Sequence, residues 1–422
     1  MKKFTKVLLT TIATLSMFAQ SAHAEDYGIR AFYGDRLLDR VIVIDVENMS
    51  LTDAVETVGI DPYPVDQAGK LDKVYAITRG SNSIDVIDAS TLEPMGLIEL
   101  EHFPRSSEAY NAVLGLQLVT GVDKPMASLI DVVTDKVVAT VGDSSLVYPI
   151  DYGGSNATGH PYWFDDNKFA LIDRGSRTIS MYAVKKNRRG VWKVVLLDTI
   201  STPTAVHHFV KRDTSTLSGR ESISYYALSE GSPDTGIAPS VLKYVLTPRN
   251  KLKLVGEANL AETGDPITVE MGSHHADVHP NGVHMYVGST EGYVYIINMI
   301  KMAVVKKVKA GLGAGHTIFV PQRNLAVVTN HKDKFVTIID TTTHTHKANV
   351  TVSGESVNGE ILQSHSSFVH PDMNFFYAFA TDNGVFYELD LETLKVSRTL
   401  YTDGTPLQGV FMCQGAECEN LM

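Results

Sequence analysis

The sequence predicts an all-β chain folded as a single β-propeller of eight blades, closed by its C-terminal strand. Three observations carry this. Long helical periodicity is almost missing, and short alternating runs bounded by Gly, Asn and Asp take its place. Examples are VIVID at 41–45, KVYAI at 73–77, IDVID at 84–88, YVYII at 293–297, FVTIID at 335–340 and VFYELD at 385–390. The runs also recur in self-similar units: a strand, a Gly or Asn turn, a strand ending in Asp or Asn, then a return strand. Residues 74–93 and 326–344 show the same grammar. Four-strand units of about 40 to 50 residues are the signature of a propeller. Finally, the first unit lacks an inner strand of its own, while 407–412 (LQGVFM) reads as a strand without a partner. Pairing the two closes the ring and removes a free sheet edge.

Taken in order, the units centre on 41–58, 73–100, 113–141, 169–199, 224–256, 284–308, 325–352 and 375–400. That makes eight; merging two of them would leave seven. Ahead of them stand Lys2, Lys3 and Lys6, the apolar run 7–18 and an Ala22-His23-Ala24 end. This pattern predicts a secretory signal peptide over 1–24, cut after Ala24, and a propeller domain over 25–422. No later apolar run reaches the roughly 18 residues that a membrane helix needs. The expected location is the periplasm, without membrane insertion. Loss of the three lysines takes the formal charge from −11 to −14, since 1–24 holds no Asp or Glu. Such an acidic chain is a poor nucleic-acid binder. Cys413 and Cys418, the two cysteines, predict a local disulfide in an oxidising compartment. The chain has no CxxC, no Gly-x-Ser-x-Gly elbow and no phosphate-cradling P-loop.

Histidine placement points to function. His274, His275 and His279 fall in six residues ahead of a Pro-Asn-Gly turn, and single or paired histidines open other units: His102, His160, His207, His208, His316 and His365. His275 and His102 each lie eleven residues before a presumed second-strand position, Tyr286 and Val113. His316 and His275 lie five residues before Pro321 and Pro280, and His365 and His274 six before Pro371 and Pro280. Inner strands of a propeller line its central tunnel, so this register predicts a ring of imidazoles there. Side chains alternate along a strand, so one member of each His-His pair is expected to face the axis. Imidazole ligates zinc and copper in its neutral form, which predicts binding that weakens below about pH 6. Glu108, Asp277 and Glu360 are candidate oxygen ligands or acceptors that orient the rings. His279, His284, His331, His344, His346 and His370 read as turn or surface residues.

The strand motifs VVTN at 327–330 and VYAIT at 74–78 resemble the bacterial propellers named for Tyr-Val-Thr-Asn. The chain is also similar, in size, export signal and all-propeller build, to the periplasmic zinc metallochaperones that serve zinc transport systems. That resemblance implies zinc as cargo and a periplasmic solute-binding protein as partner. In its histidine ring, with His274-His275 and His279, it resembles nitrous-oxide-reductase-like propellers, which implies copper, redox chemistry and an electron-transfer partner. No histidine lies near Cys413 and Cys418, so the copper electron-transfer domain of those reductases is not expected. A metal-free interaction scaffold is the third reading.

Overall fold

A computed structural model describes residues 27–149, 156–213, 223–261, 272–359 and 361–414. The expected signal peptide and Glu360 lie outside the described residues. Strands β1 to β32, numbered in chain order, form eight four-stranded antiparallel sheets, so the eight-blade count holds. The inner strands are β4 (Pro62–Gln67), β8 (Pro104–Asn111), β12 (Tyr162–Asp165), β16 (Val206–Asp213), β20 (Ser273–Val278), β24 (Ala314–Val320), β28 (Ser367–Val369) and β32 (Pro406–Cys413). Successive inner strands lie in contact from β32 through β4 and β8 to β12, and from β16 through β20 and β24 to β28.

The ring closes as the sequence predicts. The first sheet runs in the order β3 (Ser50–Glu56), β2 (Arg40–Asp45), β1 (Ile29–Asp35), β32. β32 pairs with β1 (Ile29–Asp35) through Ile29↔Cys413 and Phe32↔Val410. The approach is tight at Gly409, where a Cβ would sit 1.9 Å from the Phe32 carbonyl oxygen. Only glycine fits there. Cys413, at the end of this strand, is disulfide-bonded; Cys418 lies outside the described residues.

In six blades an Asp or Asn ends the third strand and makes the hairpin to the fourth. Asp340 Oδ1 accepts the backbone N–H groups of Thr342 and Thr343 at 3.0 and 2.8 Å, and Asp390 serves Glu392 and Thr393 in the same way. These side chains replace backbone turn bonds. Directly after the pair sits a left-handed residue, as at Leu394, Met302 and His344. Apolar clusters fill the seams between blades. Val43 of the first blade, for example, packs in one core with Val74 and Ala76 of the second.

One irregularity repeats at the head of the inner strands. Register jumps between Pro62 and Val65, Ser106 and Ala109, Val206 and Phe209, Ser273 and Ala276, and Ala314 and Thr317. In each case three inner-strand steps oppose two on the neighbour, which is a β-bulge. Bulges bend a strand and re-aim its side chains. The residues between the jumps are Tyr63-Pro64, Ser107-Glu108, His207-His208, His274-His275 and Gly315-His316.

Candidate metal centre

Imidazoles from successive blades meet at one end of the tunnel: His207, His208, His275 and His316 from the bulges of β16, β20 and β24, and His160 and His365 from just ahead of β12 and β28. His160, His207 and His275 offer ligand nitrogens that all lie within 4.8 Å of one another. Their ring centroids are 4.9 Å (160–207), 5.1 Å (207–275) and 5.6 Å (160–275) apart. His208 touches the same group at 5.3 Å from His275 and 5.9 Å from His160. The chain of rings continues to His316, stacked on His275 at 3.6 Å, then to His365, 6.1 Å from His316. A cavity of about 600 Å³ adjoins them, lined by His160, His208, His275, His316 and His365 together with Asp66, Glu108 and Asp277.

Several expectations change. Both His207 and His208 reach the cluster, although strand alternation predicts one; the bulge at this pair removes the alternation. His102 stands apart. It is 1% exposed, and its Nε2 pairs with Ser128 Oγ at 3.0 Å while Nδ1 faces the Phe103 carbonyl at 3.3 Å. The offset from Val113 misled because Val113 lies in a turn ahead of β9 (Leu116–Gly121), and Glu108 occupies the bulge position in that blade. His274 lies on β20, and its side chain is outside the described residues. His331, read as a turn residue, joins the cluster: it stacks on His365 at 4.0 Å and lies 6.2 Å from His316. It enters from the loop after β25 (Leu325–Asn330) because Gly315 leaves room. A Cβ on Gly315 would lie 2.1 Å from His331 Nε2.

Hydrogen bonds fix which ring nitrogen carries the lone pair. Glu108 accepts from His160 Nδ1, and Glu230 accepts from His207 Nδ1 at 3.0 Å. The Gln363 carbonyl accepts from His331 Nδ1 at 3.0 Å. In their neutral forms these three rings therefore carry the lone pair on Nε2. His208 makes a backbone hydrogen bond with Ala276, and its buried Nδ1 has no hydrogen-bond partner. Carboxylates behind histidines are the arrangement that orients metal ligands. Glu108 and Glu230 play that part here. Asp277 instead accepts from the Thr317 backbone at 2.9 Å, next to His316.

Electrostatics keep the rings neutral. Burial lowers His208 to about 3 and His331 to about 4. Burial, reinforced by His331, His160 and His208, pushes His316 well below its ordinary value, and burial with Arg105 lowers His160. Burial alone would raise Glu108, but His160 and Ser106 outweigh it and hold the carboxyl low. Burial and the neighbouring Glu108 raise Asp66; burial raises Asp277 to about 7.

A second group of rings shows why clustering alone is insufficient. His279, His284 and His344 approach at 4.7 to 6.3 Å between the turn after β20 and the turn after β26 (Phe335–Asp340). The Asn281 backbone N–H donates to His279 Nδ1, and the Asn281 side-chain amide donates to His284 Nδ1, both at 3.0 Å. Asn281 Oδ1 accepts two backbone N–H groups, which fixes that amide's orientation. The protons then sit on Nε2 of both rings, so they present donors and not ligands. His370 is paired with Glu47 and Asp372 at 2.9 Å each.

No family model matches the sequence, and no curated protein matches it. Solved structures match in fold. The chain is similar to the dihydro-haem d1 dehydrogenase NirN, solved in complex with DHE, with a TM-score of 0.63 and 11% identity over 93% of this chain and 76% of that one. It is similar to Saccharomyces cerevisiae Sqt1 (0.60; 10%; 81% and 85%) and to apo AztD from Citrobacter koseri (0.59; 11%; 92% and 98%). At these identities the likeness is one of propeller architecture.

Proposed function

We propose that this protein binds a transition-metal ion, zinc or copper, on the axial imidazoles and handles it in the periplasm as a metallochaperone. The observation that carries this reading is the His160–His207–His275 trio, with carboxylates holding the protons on the far nitrogens of two of its rings. Three imidazoles with a fourth position open suit Zn(II) and copper. An open position also suits transfer, because a receiving ligand can enter before the others leave. The partner implied is a periplasmic solute-binding protein. Periplasmic delivery rests on the signal-peptide pattern over 1–24.

A second reading has its own observation. Seven rings, counting His208, His316, His331 and His365, form one continuous set of contacts. That exceeds the needs of one four-coordinate ion. It favours a copper-dependent oxidoreductase with more than one copper and an electron-transfer partner.

Competition titration of the full exported chain with Zn(II) and Cu(II) tests both. The parent should bind stoichiometrically, and His207→Ala with His275→Ala should abolish binding at the trio while the protein still folds, because these rings line a tunnel and do not fill a core. A single zinc equivalent supports the chaperone. Two or more coppers with visible absorption support the redox enzyme. A parent that binds no metal leaves the scaffold reading.

A further inference from the structure

Beside the cluster lies a buried guanidinium to which, among the described residues, no carboxylate is hydrogen-bonded. Arg105 sits at the head of β8, in the first of two register jumps on that strand. It is 4% exposed, and its Nη1 is buried with no hydrogen-bond partner. A buried guanidinium usually holds a carboxylate or phosphate in its planar fork. The nearby carboxylates are already used. Glu108 places one oxygen on His160 and the other on Ser106. Glu230 takes a bidentate bond from Arg174, 2.8 Å to each oxygen, as well as the His207 bond. Asp66 accepts from Ser107 Oγ and N at 2.7 and 3.2 Å.

The surroundings add positive charge. Burial, reinforced by repulsion from Arg174 and Arg79, lowers Arg105 to about 9 against the weaker attraction of Glu108. Arg79 itself lies over the Tyr63 ring at 4.6 Å and donates to Asn156 Oδ1 at 3.1 Å. Tyr63 in turn meets the His365 ring edge-on at 6.0 Å. Arg105 also acts on His160 and His208, so it belongs to the same end of the tunnel.

We propose that the mouth of the histidine cluster is an anion site, in which Arg105 holds a small oxyanion of the carboxylate or phosphate class. Its coplanar oxygens would accept from the guanidinium fork and supply a hydrogen-bonded counterion. This site stands whether or not the rings hold a metal.

The test is the melting temperature of the metal-free full chain, with inorganic phosphate or acetate titrated against chloride at matched ionic strength. A ligand that binds the native state alone raises stability saturably. The parent should show such a rise with at least one of the two oxyanions, and the responding one identifies the class. Arg105→Gln should show none. Without oxyanion, Arg105→Gln should melt as high as the parent or higher, since it removes a buried charge that no carboxylate hydrogen-bonds. Arg105→Lys, which keeps the charge but loses the fork, should respond more weakly than the parent and carries the test if the glutamine variant does not fold. His207→Ala with His275→Ala should keep the full oxyanion response even where metal binding is lost. A parent without a saturable rise, or an equal rise in both Arg105 variants, overturns the proposal. So does an Arg105→Gln chain that melts lower than the parent in chloride.

Discussion

Glu108 and Asn281 illustrate how one neighbour decides what a histidine can do. Glu108 accepts the His160 Nδ1 proton and leaves a lone pair at Nε2. Asn281 donates to Nδ1 of His279 and His284 and leaves protons there. Glu108→Gln should therefore lower metal affinity by about 10- to 100-fold, the usual cost of removing an orienting partner; an unchanged value in competition titration counts against the role. His284→Ala should leave the number of bound ions unchanged, and a lost equivalent would contradict the tautomer assignment. Burial also moves the pH dependence. A free imidazole takes up its proton near pH 6.5, whereas His208 and His331 are held at about 3 and 4. Within the trio His160 is lowered by burial and Arg105, so metal affinity should fall less steeply as pH drops through about 6.5 than it would for free imidazoles. A tenfold loss between about pH 7 and pH 6 would show rings that titrate as in water. The same shifts bear on stability. The unfolded chain takes up these protons below about pH 6.5 while the folded chain does not, so stability is full above that value and falls as pH drops towards the folded values. Asp66 and Asp277, raised by burial, work in the opposite direction.

At the scale of the strand, the repeated bulge does the positioning. Counting the spacing from turns and second strands aligned His208, His275 and His316, whose inner strands share a bulge at the head, with His160 and His365, which lie just ahead of β12 and β28. It failed where that spacing changes. In the third blade Val113 belongs to a longer turn, so His102 was placed in a ring from which Glu108 displaces it. It also failed where the contribution is not from an inner strand. His331 comes from a loop, and the signal that admits it is an absence of side chain at Gly315, which no periodicity shows. Alternation, a rule for regular strands, gave the wrong count for His207 and His208 because a bulge is where that rule lapses. Gly315→Ala tests this local geometry. His331 is buried and stacked on His365, so the added methyl should displace it at a cost of about 1–3 kcal/mol. Chemical denaturation reads that loss, and an unchanged midpoint would mean the ring yields freely.

Across the whole molecule, closure makes the site. His160 and His365 are far apart in sequence, and the ring of blades brings both to one end of the tunnel through His275. β32 fastens that ring onto β1. Deleting 405–422 should expose the β1 edge, lower the melting temperature and make unfolding less cooperative; a truncated chain that melts like the parent would contradict closure by this strand. Blade count, ring closure and the turn-forming Asp residues were all legible in the sequence because each repeats. The tunnel's hydrogen bonds were not, since they join blades whose contacts no local pattern encodes. The central claim is that imidazoles at this junction form a metal site. The most direct measurement is X-ray absorption at the zinc edge on protein loaded with one equivalent of Zn(II). The account predicts three imidazole nitrogens at about 2.0–2.1 Å, reduced in number when His207 and His275 are alanine; a shell of oxygens alone, or one unchanged in that variant, would contradict it.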